Sequence, residues 1–348
     1  MPVTIRDIAR HLNLSIAAVS RALDGYPDIS AETRARVLQA AQELGYAPNH
    51  AARQLRRHRT EVLGFVLPSS AAHFSEQFFS DFITRMAEET TLHGFDLLIA
   101  AAEPGSPAEQ RIYQSWVQGH KVDGIVINRL RENDWRLDFL HHHRLPFAAV
   151  EGALDHGNHP QVSVDSAAGL QILAAHFASQ GYENIGYIGG PADLKINQSR
   201  LMGLMNGLEE NHLIYNPDWT VECDMTSQGG YLAAHELLPN LPTPAAVACF
   251  NDETAIGVLH AAHELKRQIG PELGVAGFGG IDDALHSQPP LTTLKISISA
   301  LAHEIVHLLI TLVNSGTLPA QKPVILPKLE VRASTLRTGA SEDSKILL

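Results

Sequence analysis

Lysine does not occur in the first sixty residues, cysteine occurs only twice in 348, and no apolar run is long enough to span a bilayer. Cys223 and Cys249 stand alone, with no C-x-x-C pair, which excludes a disulfide framework and suits buried thiols in a reducing compartment. The N-terminus has no signal-peptide apolar core, so the chain is expected in the cytoplasm, with no membrane partner. Nucleotide loops are also missing: GYIGGP (186–191) and GVAGFGG (274–280) lack the G-x-G-x-x-G spacing at a first strand-to-helix turn, and no P-loop Lys-Ser follows either. His141, His142 and His143 are consecutive, so on a helix they point in three directions and cannot close on one metal ion. Ser69, Ser70 and His73 have no orienting acid at a recognisable spacing, so no triad can be assembled. No metal, no cofactor and no enzymatic activity are expected.

What is present begins with arginine. Residues 1–60 hold nine Arg against five acids, a charge of +4, while the whole chain carries −12, which leaves −16 on residues 61–348. A basic N-terminal module on an acidic body suits a protein that turns one face to phosphate. Within that module Ile5, Ile8, Ala9 and Leu12 recur at i, i+3, i+4 and i+7 after Thr4, which is read as the N-cap of a first helix. Asn13, Leu14 and Ser15 make a turn, and Ser15 caps a second helix whose Val19, Ala22 and Leu23 face inward while Ile16, Ala17, Ser20 and Arg21 point out. Ser30 caps a third helix that buries Thr33, Val37, Ala40, Ala41 and Leu44 and stops before Gly45. Two short helices across a three-residue turn, with a polar second helix, read as a helix-turn-helix.

These residues also carry a resemblance. VTIRDIARHLNLSIAAVSRALDG followed by ISAETRARVLQAAQELGYAPNHAARQLR resembles, in order and spacing over about sixty residues, the headpiece of the lac repressor (LacI/GalR-type) family of bacterial transcriptional regulators. The resemblance implies a hinge helix after the third helix, and Asn49, Ala52, Leu55 and Arg56 fall on it, with Leu55 in the place of a minor-groove wedge. That role suits the residues: an apolar wedge needs small neighbours (Ala51, Ala52) and cations for flanking phosphates (Arg53, Arg56, Arg57). Family members that read bases directly often carry Tyr-Gln or Thr-Pro where this chain has Ile16-Ala17, so these two offer only apolar contact, for instance to thymine methyls. Arg21 is then the candidate for a bidentate contact to guanine, with Thr4, Ser15 and Ser20 on phosphates.

From Val62 the pattern changes to short apolar strands alternating with amphipathic helices, the signature of parallel α/β architecture. Strands are read at 62–67, 96–100, 124–128, 147–150, 184–190, 245–252 and 273–280, too many for one ordinary sheet. The resemblance implies two periplasmic-binding-protein-like lobes whose chain crosses between them near Val164, Leu294 and Val324. The expected organisation is a headpiece over 1–48, a hinge and linker over 49–60, a body over 61–338 and a tail over 339–348. Within the body, the first lobe takes 61–163 with 294–323 and the second takes 164–293 with 324–338.

A ligand is expected in the cleft, at strand C-termini and helix N-termini. Phe79 opens a helix after the first strand and can stack on a sugar ring or belong to the core. By resemblance, Arg200 in QSRLMG matches the family's cleft arginine, and Asn251-Asp252 its Asn-Asp pair, although Asp252 can equally cap its helix. Glu151 ends the strand FAAV where sugar-binding relatives place a carboxylate. One mismatch stands out: relatives binding neutral sugars or purines commonly have an Asp-Asp pair after the strand aligned with LGVAGF, whereas this chain has Gly279-Gly280. Either Glu151 supplies the acceptor or the ligand is itself acidic, and a neutral saccharide is ranked ahead of a sugar acid. The expectation is therefore a repressor that binds double-stranded, pseudo-palindromic operator DNA as a homodimer at the bacterial nucleoid and is released by a sugar or oligosaccharide. SEDSKILL is too short for a heptad repeat, so a coiled-coil tetramer is not expected.

Overall fold

A computed structural model describes residues 3–46, 59–69, 77–152, 159–317 and 323–337, with the side chains of Glu151 and Gly152 excepted. The chain divides into two units, Met1–Thr60 and Glu61–Leu348.

In the first unit, α1 (Ile5–Leu12), α2 (Ile16–Leu23) and α3 (Ala31–Glu43) close a small core of Ile8, Ala9, Val19, Ala22, Val37, Ala40 and Ala41. The caps are those expected. The Asp7 carboxylate accepts from the Thr4 hydroxyl at 2.7 Å and the Thr4 N–H at 2.9 Å, which holds Asp7 below its ordinary range. Ser15 and Ser30 accept from Ala18 and Thr33 N–H groups at 3.1 and 3.2 Å. Asn13 takes the left-handed conformation that the tight turn between α1 and α2 requires.

The second unit contains two sheets, the first wholly parallel. The first is ordered β11-β5-β4-β3-β1-β2, from β1 (Val62–Pro68), β2 (Asp96–Ala102), β3 (Gly124–Ile127), β4 (Phe147–Gly152), β5 (Gln161–Val164) and β11 (Val324–Ile325). The second is ordered β12-β10-β9-β8-β6-β7, from β6 (Asn184–Gly189), β7 (Thr220–Glu222), β8 (Ala245–Cys249), β9 (Leu273–Gly279), β10 (Thr292–Lys295) and β12 (Lys328–Glu330). It is parallel except for β12, which runs antiparallel to β10. The central strands GIVI, AAVAC and LGVAGFG are buried along their whole length, as parallel strands covered on both faces must be. Helices α4 (Gln77–Leu92), α5 (Pro107–Gln118), α6 (Trp135–His142) and α12 (Ile298–Ser315) accompany the first sheet. α7 (Ser166–Ser179), α8 (Lys195–Glu210), α9 (Ser227–Leu237), α10 (Asp252–Glu264) and α11 (Asp282–His286) accompany the second.

The chain passes between the sheets after β5, after β10 and after β11. Two expected boundaries move. Leu294 belongs to β10 of the second sheet, paired with Phe278, so that crossing follows Lys295. Val324 pairs with Ser163 in the first sheet, so the last crossing follows Ile325. One expectation about apolar runs also needs correction: α12 is long and apolar enough, by length and composition, to cross a membrane. Here it is a core helix, with Leu301, Ala302, Ile305, Leu308 and Leu309 buried against α4 and the first sheet.

Candidate nucleic-acid interface and ligand cleft

On α2 the structure leaves Ile16 47% exposed, with Ala17 and Arg21 also exposed, as an outward reading face requires. Ser20 departs from its expected outward position. It is only 7% exposed and its hydroxyl donates to Asp24 at 3.4 Å. The reason is helical geometry: Ser20 lies about 60° from Leu23 on the helix circumference, on the flank of the buried stripe. Arg21 is ion-paired to Asp28 and lies over the Tyr26 ring, 5.5 Å from its centroid. Asn49, Ala52, Leu55 and Arg56 lie outside the described residues.

In both sheets the first strand sits between its two successors, β3-β1-β2 and β8-β6-β7, so the winding direction reverses between β1 and β3 and again between β6 and β8. Such reversals open a crevice at the carboxyl ends of the strands. The segments that leave those ends line one cleft. From the first lobe come Phe78, Phe79 and Phe82 of α4 and Asn128 and Arg129 after β3; from the second come Ile196 and Arg200 of α8, Phe250 and Asn251 after β8, Glu253, and Phe278 of β9. The space between these walls, open solvent included, is about 750 Å³.

Arg200 is the central group. Only 6% exposed, it lies between two aromatic faces, 3.8 Å from the Phe278 centroid and 4.3 Å from that of Phe250, and donates to the Phe250 carbonyl. Burial pulls its pKa down to about 10, which leaves it charged at neutral pH. Among the described residues, neither its buried Nε nor the buried Asn128 Nδ2 has a hydrogen-bond partner. Both residues line the cleft, where a desolvated donor without an acceptor is costly and a ligand's oxygens would relieve it.

The other expected residues separate into those at the cleft and those behind it. Phe79 lines the cleft and also packs 6.3 Å from Phe65 in the core, with Arg129 Cζ 4.9 Å from its centroid. Asn251 lines the cleft but is also an N-cap, its oxygen accepting from Thr254 N–H at 2.9 Å and its nitrogen donating to the Met225 carbonyl at 2.9 Å. One N–H and one lone pair remain for a ligand. Asp252 stands behind the wall. It is fully buried and accepts from the Thr293 hydroxyl (2.6 Å), the Gly280 N–H (2.6 Å) and the Ile281 N–H (2.9 Å), while burial outweighs these donors and pushes its pKa up. It shapes the Gly279-Gly280 loop instead of meeting a ligand. That loop is built for glycine, with φ +132° and +80°, and a Cβ on Gly280 would fall 2.4 Å from Lys295 Cγ. Glu151 lies in β4 opposite Ser163, with its side chain outside the described residues.

Sequence reasoning missed Asn128, Arg129, Phe250 and Phe278, although each ends a strand or follows one and the strand-end rule applied to Asn251 covers them equally. The loop carrying Asn128 and Arg129 is anchored from below by Arg136. This buried guanidinium forks onto Asp134 (2.8 and 2.6 Å) and donates to the Asn128 and Arg129 carbonyls at 3.1 and 3.2 Å. Burial alone would lower Arg136; the Asp134 carboxylate prevails and holds it above its ordinary value. The same loop clasps the other lobe. Lys195 N–H donates to the Leu130 carbonyl and Glu132 N–H to the Asp193 carbonyl, both at 3.0 Å, Arg131 pairs with Asp193, and Gln198 donates to Glu132 at 2.8 Å.

Comparison with known proteins agrees with this architecture. Residues 4–49 match the family of bacterial regulatory proteins of the lacI type, and residues 174–335 match the periplasmic binding protein-like domain. The chain is 32% identical over 341 residues to the HTH-type transcriptional regulator AglR of Rhizobium meliloti (strain 1021), covering 96% of this chain and 95% of that one. It is 27% identical to the transcriptional repressor PurR of Klebsiella pneumoniae (strain 342), covering 95% and 96%. Among solved structures, a lac repressor dimer bound to operator and the anti-inducer ONPF shares the fold with a TM-score of 0.81 at 23% identity, covering 97% and 100%. A CelR–cellobiose complex does so with a TM-score of 0.72 at 24% identity, covering 95% and 99%. The chain therefore belongs to the lacI family of bacterial regulatory proteins, and is a helix-turn-helix transcriptional regulator that binds DNA, not an enzyme.

Proposed function

We propose that the protein is a repressor released from its operator by a small saccharide held between the two lobes. The observation that carries the ligand class is the pairing of aromatic walls with buried donors that have no partner among the described residues: Phe79, Phe250 and Phe278 make the walls apolar, as one side of a sugar ring is, while Arg200 Nε and Asn128 Nδ2 call for its oxygens. Glu253 in the same lining supplies the acceptor that Gly279-Gly280 withholds, which keeps a neutral saccharide ahead of a sugar acid. The cellobiose and ONPF complexes of related folds point the same way. A thermal-shift screen of neutral mono- and oligosaccharides beside sugar acids tests this, since a ligand at a hundred times its Kd adds about 2.7 kcal/mol to stability. A shift given by sugar acids alone would reverse the ranking.

DNA binding by a dimer follows from interface size, because one headpiece is too small for tight binding and two read an inverted repeat. The dimeric relative supports it, as does β2, an edge strand of the first sheet with Ile99 42% exposed and in need of cover. Asn49, Ala52, Leu55 and Arg56 form the hinge in this reading, with Leu55 wedging the minor groove and Thr4, Ser15, Ile16, Ala17 and Arg21 meeting the half-site. Effector closes the lobes, changes the spacing of the hinges in the dimer and withdraws the wedge. Gel shifts at fixed salt with the identified saccharide decide the sign; tighter binding in its presence would make it a corepressor.

A further inference from the structure

Arg21 is not presented as a free cation. The chain after α2 folds back along the helix: Tyr26 N–H donates to the Arg21 carbonyl at 3.0 Å, and Arg34 of α3 holds the Tyr26 carbonyl at 2.7 Å. That return sets the Asp28 carboxylate on the Arg21 guanidinium and brings the Tyr26 ring beside it, on the exposed side of the headpiece. The side chains of Arg21 and Asp28 keep 51% and 45% of their exposure, so both remain open to an incoming duplex.

We propose that Asp28 is a specificity-determining, positioning residue that keeps Arg21 from phosphates while leaving the other N–H groups of its guanidinium to a guanine. This rests on the reading of Arg21 as a base contact. Non-specific binding is driven by cations that release counterions from phosphates. An arginine already matched to a carboxylate contributes little to that term, and the carboxylate itself is repelled by the phosphate backbone. Guanine O6 and N7 offer two coplanar acceptors at the spacing of a guanidinium fork, and can engage the N–H groups that the Asp28 contact at Nη2 leaves over, so the pair stays closed in that complex. Asp28 thus subtracts affinity from DNA that lacks the guanine more than from DNA that has it. Tyr26 limits the directions in which the paired side chain can swing.

The test uses the full-length protein and duplexes selected from a random-sequence library, with an unrelated duplex of equal length as the non-specific probe. Wild type, Asp28→Asn and Arg21→Ala are each taken through selection, and binding is followed from 50 to 200 mM salt. Asp28→Asn is close to isosteric and removes an exposed pair, so the headpiece is expected to fold, which a far-UV melt checks. Expected for Asp28→Asn are roughly three- to tenfold tighter binding to the unrelated duplex, a salt slope steeper by about one phosphate contact, and a weakened preference at the base position that Arg21→Ala erases. An equal fold-change on selected and unrelated DNA, or no change on either, overturns the role of Asp28. Should Arg21→Ala erase no position, the assignment of Arg21 itself fails. If it erases one that Asp28→Asn leaves intact, only Asp28 is at fault.

Discussion

At the scale of the residue, DNA binding and the proposed saccharide binding are assigned to side chains that can be removed independently. Arg200 is buried between Phe250 and Phe278, so Arg200→Met, which keeps most of its volume, removes the charged donor with limited disturbance of packing. A hydrogen bond from a charged group contributes about 1.5–3 kcal/mol, so saccharide affinity measured by calorimetry should fall roughly ten- to a hundredfold while operator affinity in the absence of saccharide is kept. Leu55→Ala should do the reverse, weakening the operator complex and leaving saccharide affinity unchanged. Arg200 was legible because a motif surrounds it. Asp252 was misplaced for the opposite reason: the same motif shows that an acid follows Asn251 but not that Thr293, from β10, closes over it. Nor does a sequence reveal that Phe250 and Phe278, twenty-eight positions apart, converge on one guanidinium.

At the scale of the element, the long central strands and the capped helices were readable from apolar runs and from Ser15, Ser30 and Gly45. Several of the shortest strands were not. β5, β7, β10, β11 and β12 have two to four residues each, too few to show a period, and owe their existence to the strand beside them. α7 illustrates what such strands do for stability. His176 on this helix meets the Thr335 hydroxyl at 2.8 Å, Thr335 is tied to Thr292 of β10, and burial lowers the His176 pKa to about 4. The unfolded chain takes up this proton below about pH 6.5 and the native state only near pH 4, so the contribution is present above 6.5 and is lost as the pH falls. Urea titration should show the body losing about 2 kcal/mol from this group between pH 7 and 5, a loss that His176→Gln abolishes. The clasp between the lobes is a second such element. Asp193→Ala breaks a half-exposed pair with Arg131 and should cost under about 1 kcal/mol globally. Amide exchange at 130–132 and 193–195 should nevertheless quicken; unchanged protection there would show that the two backbone hydrogen bonds hold the lobes without the pair.

At the scale of the whole molecule, the proposed repressor links saccharide and operator through one equilibrium between body states. Coupling of about 1–3 kcal/mol changes operator affinity roughly 5–150-fold, and the same factor must appear when saccharide affinity is measured with and without operator. Unequal factors would mean that the two ligands act through more than a shared pair of states.

The three crossings have a consequence for synthesis. α12 brings Leu301, Ile305 and Leu309 to the core of the first lobe, yet it follows nearly the whole second lobe in the chain, and β11 and β12 border their sheets later still. On the ribosome the first sheet must therefore wait, one apolar face uncovered, while more than a hundred further residues are made, roughly seven to twenty-seven seconds at about 5–20 residues per second. Neither lobe can mature as an independent early domain; the protein completes both near its end, when the returning helix and the last short strands arrive together.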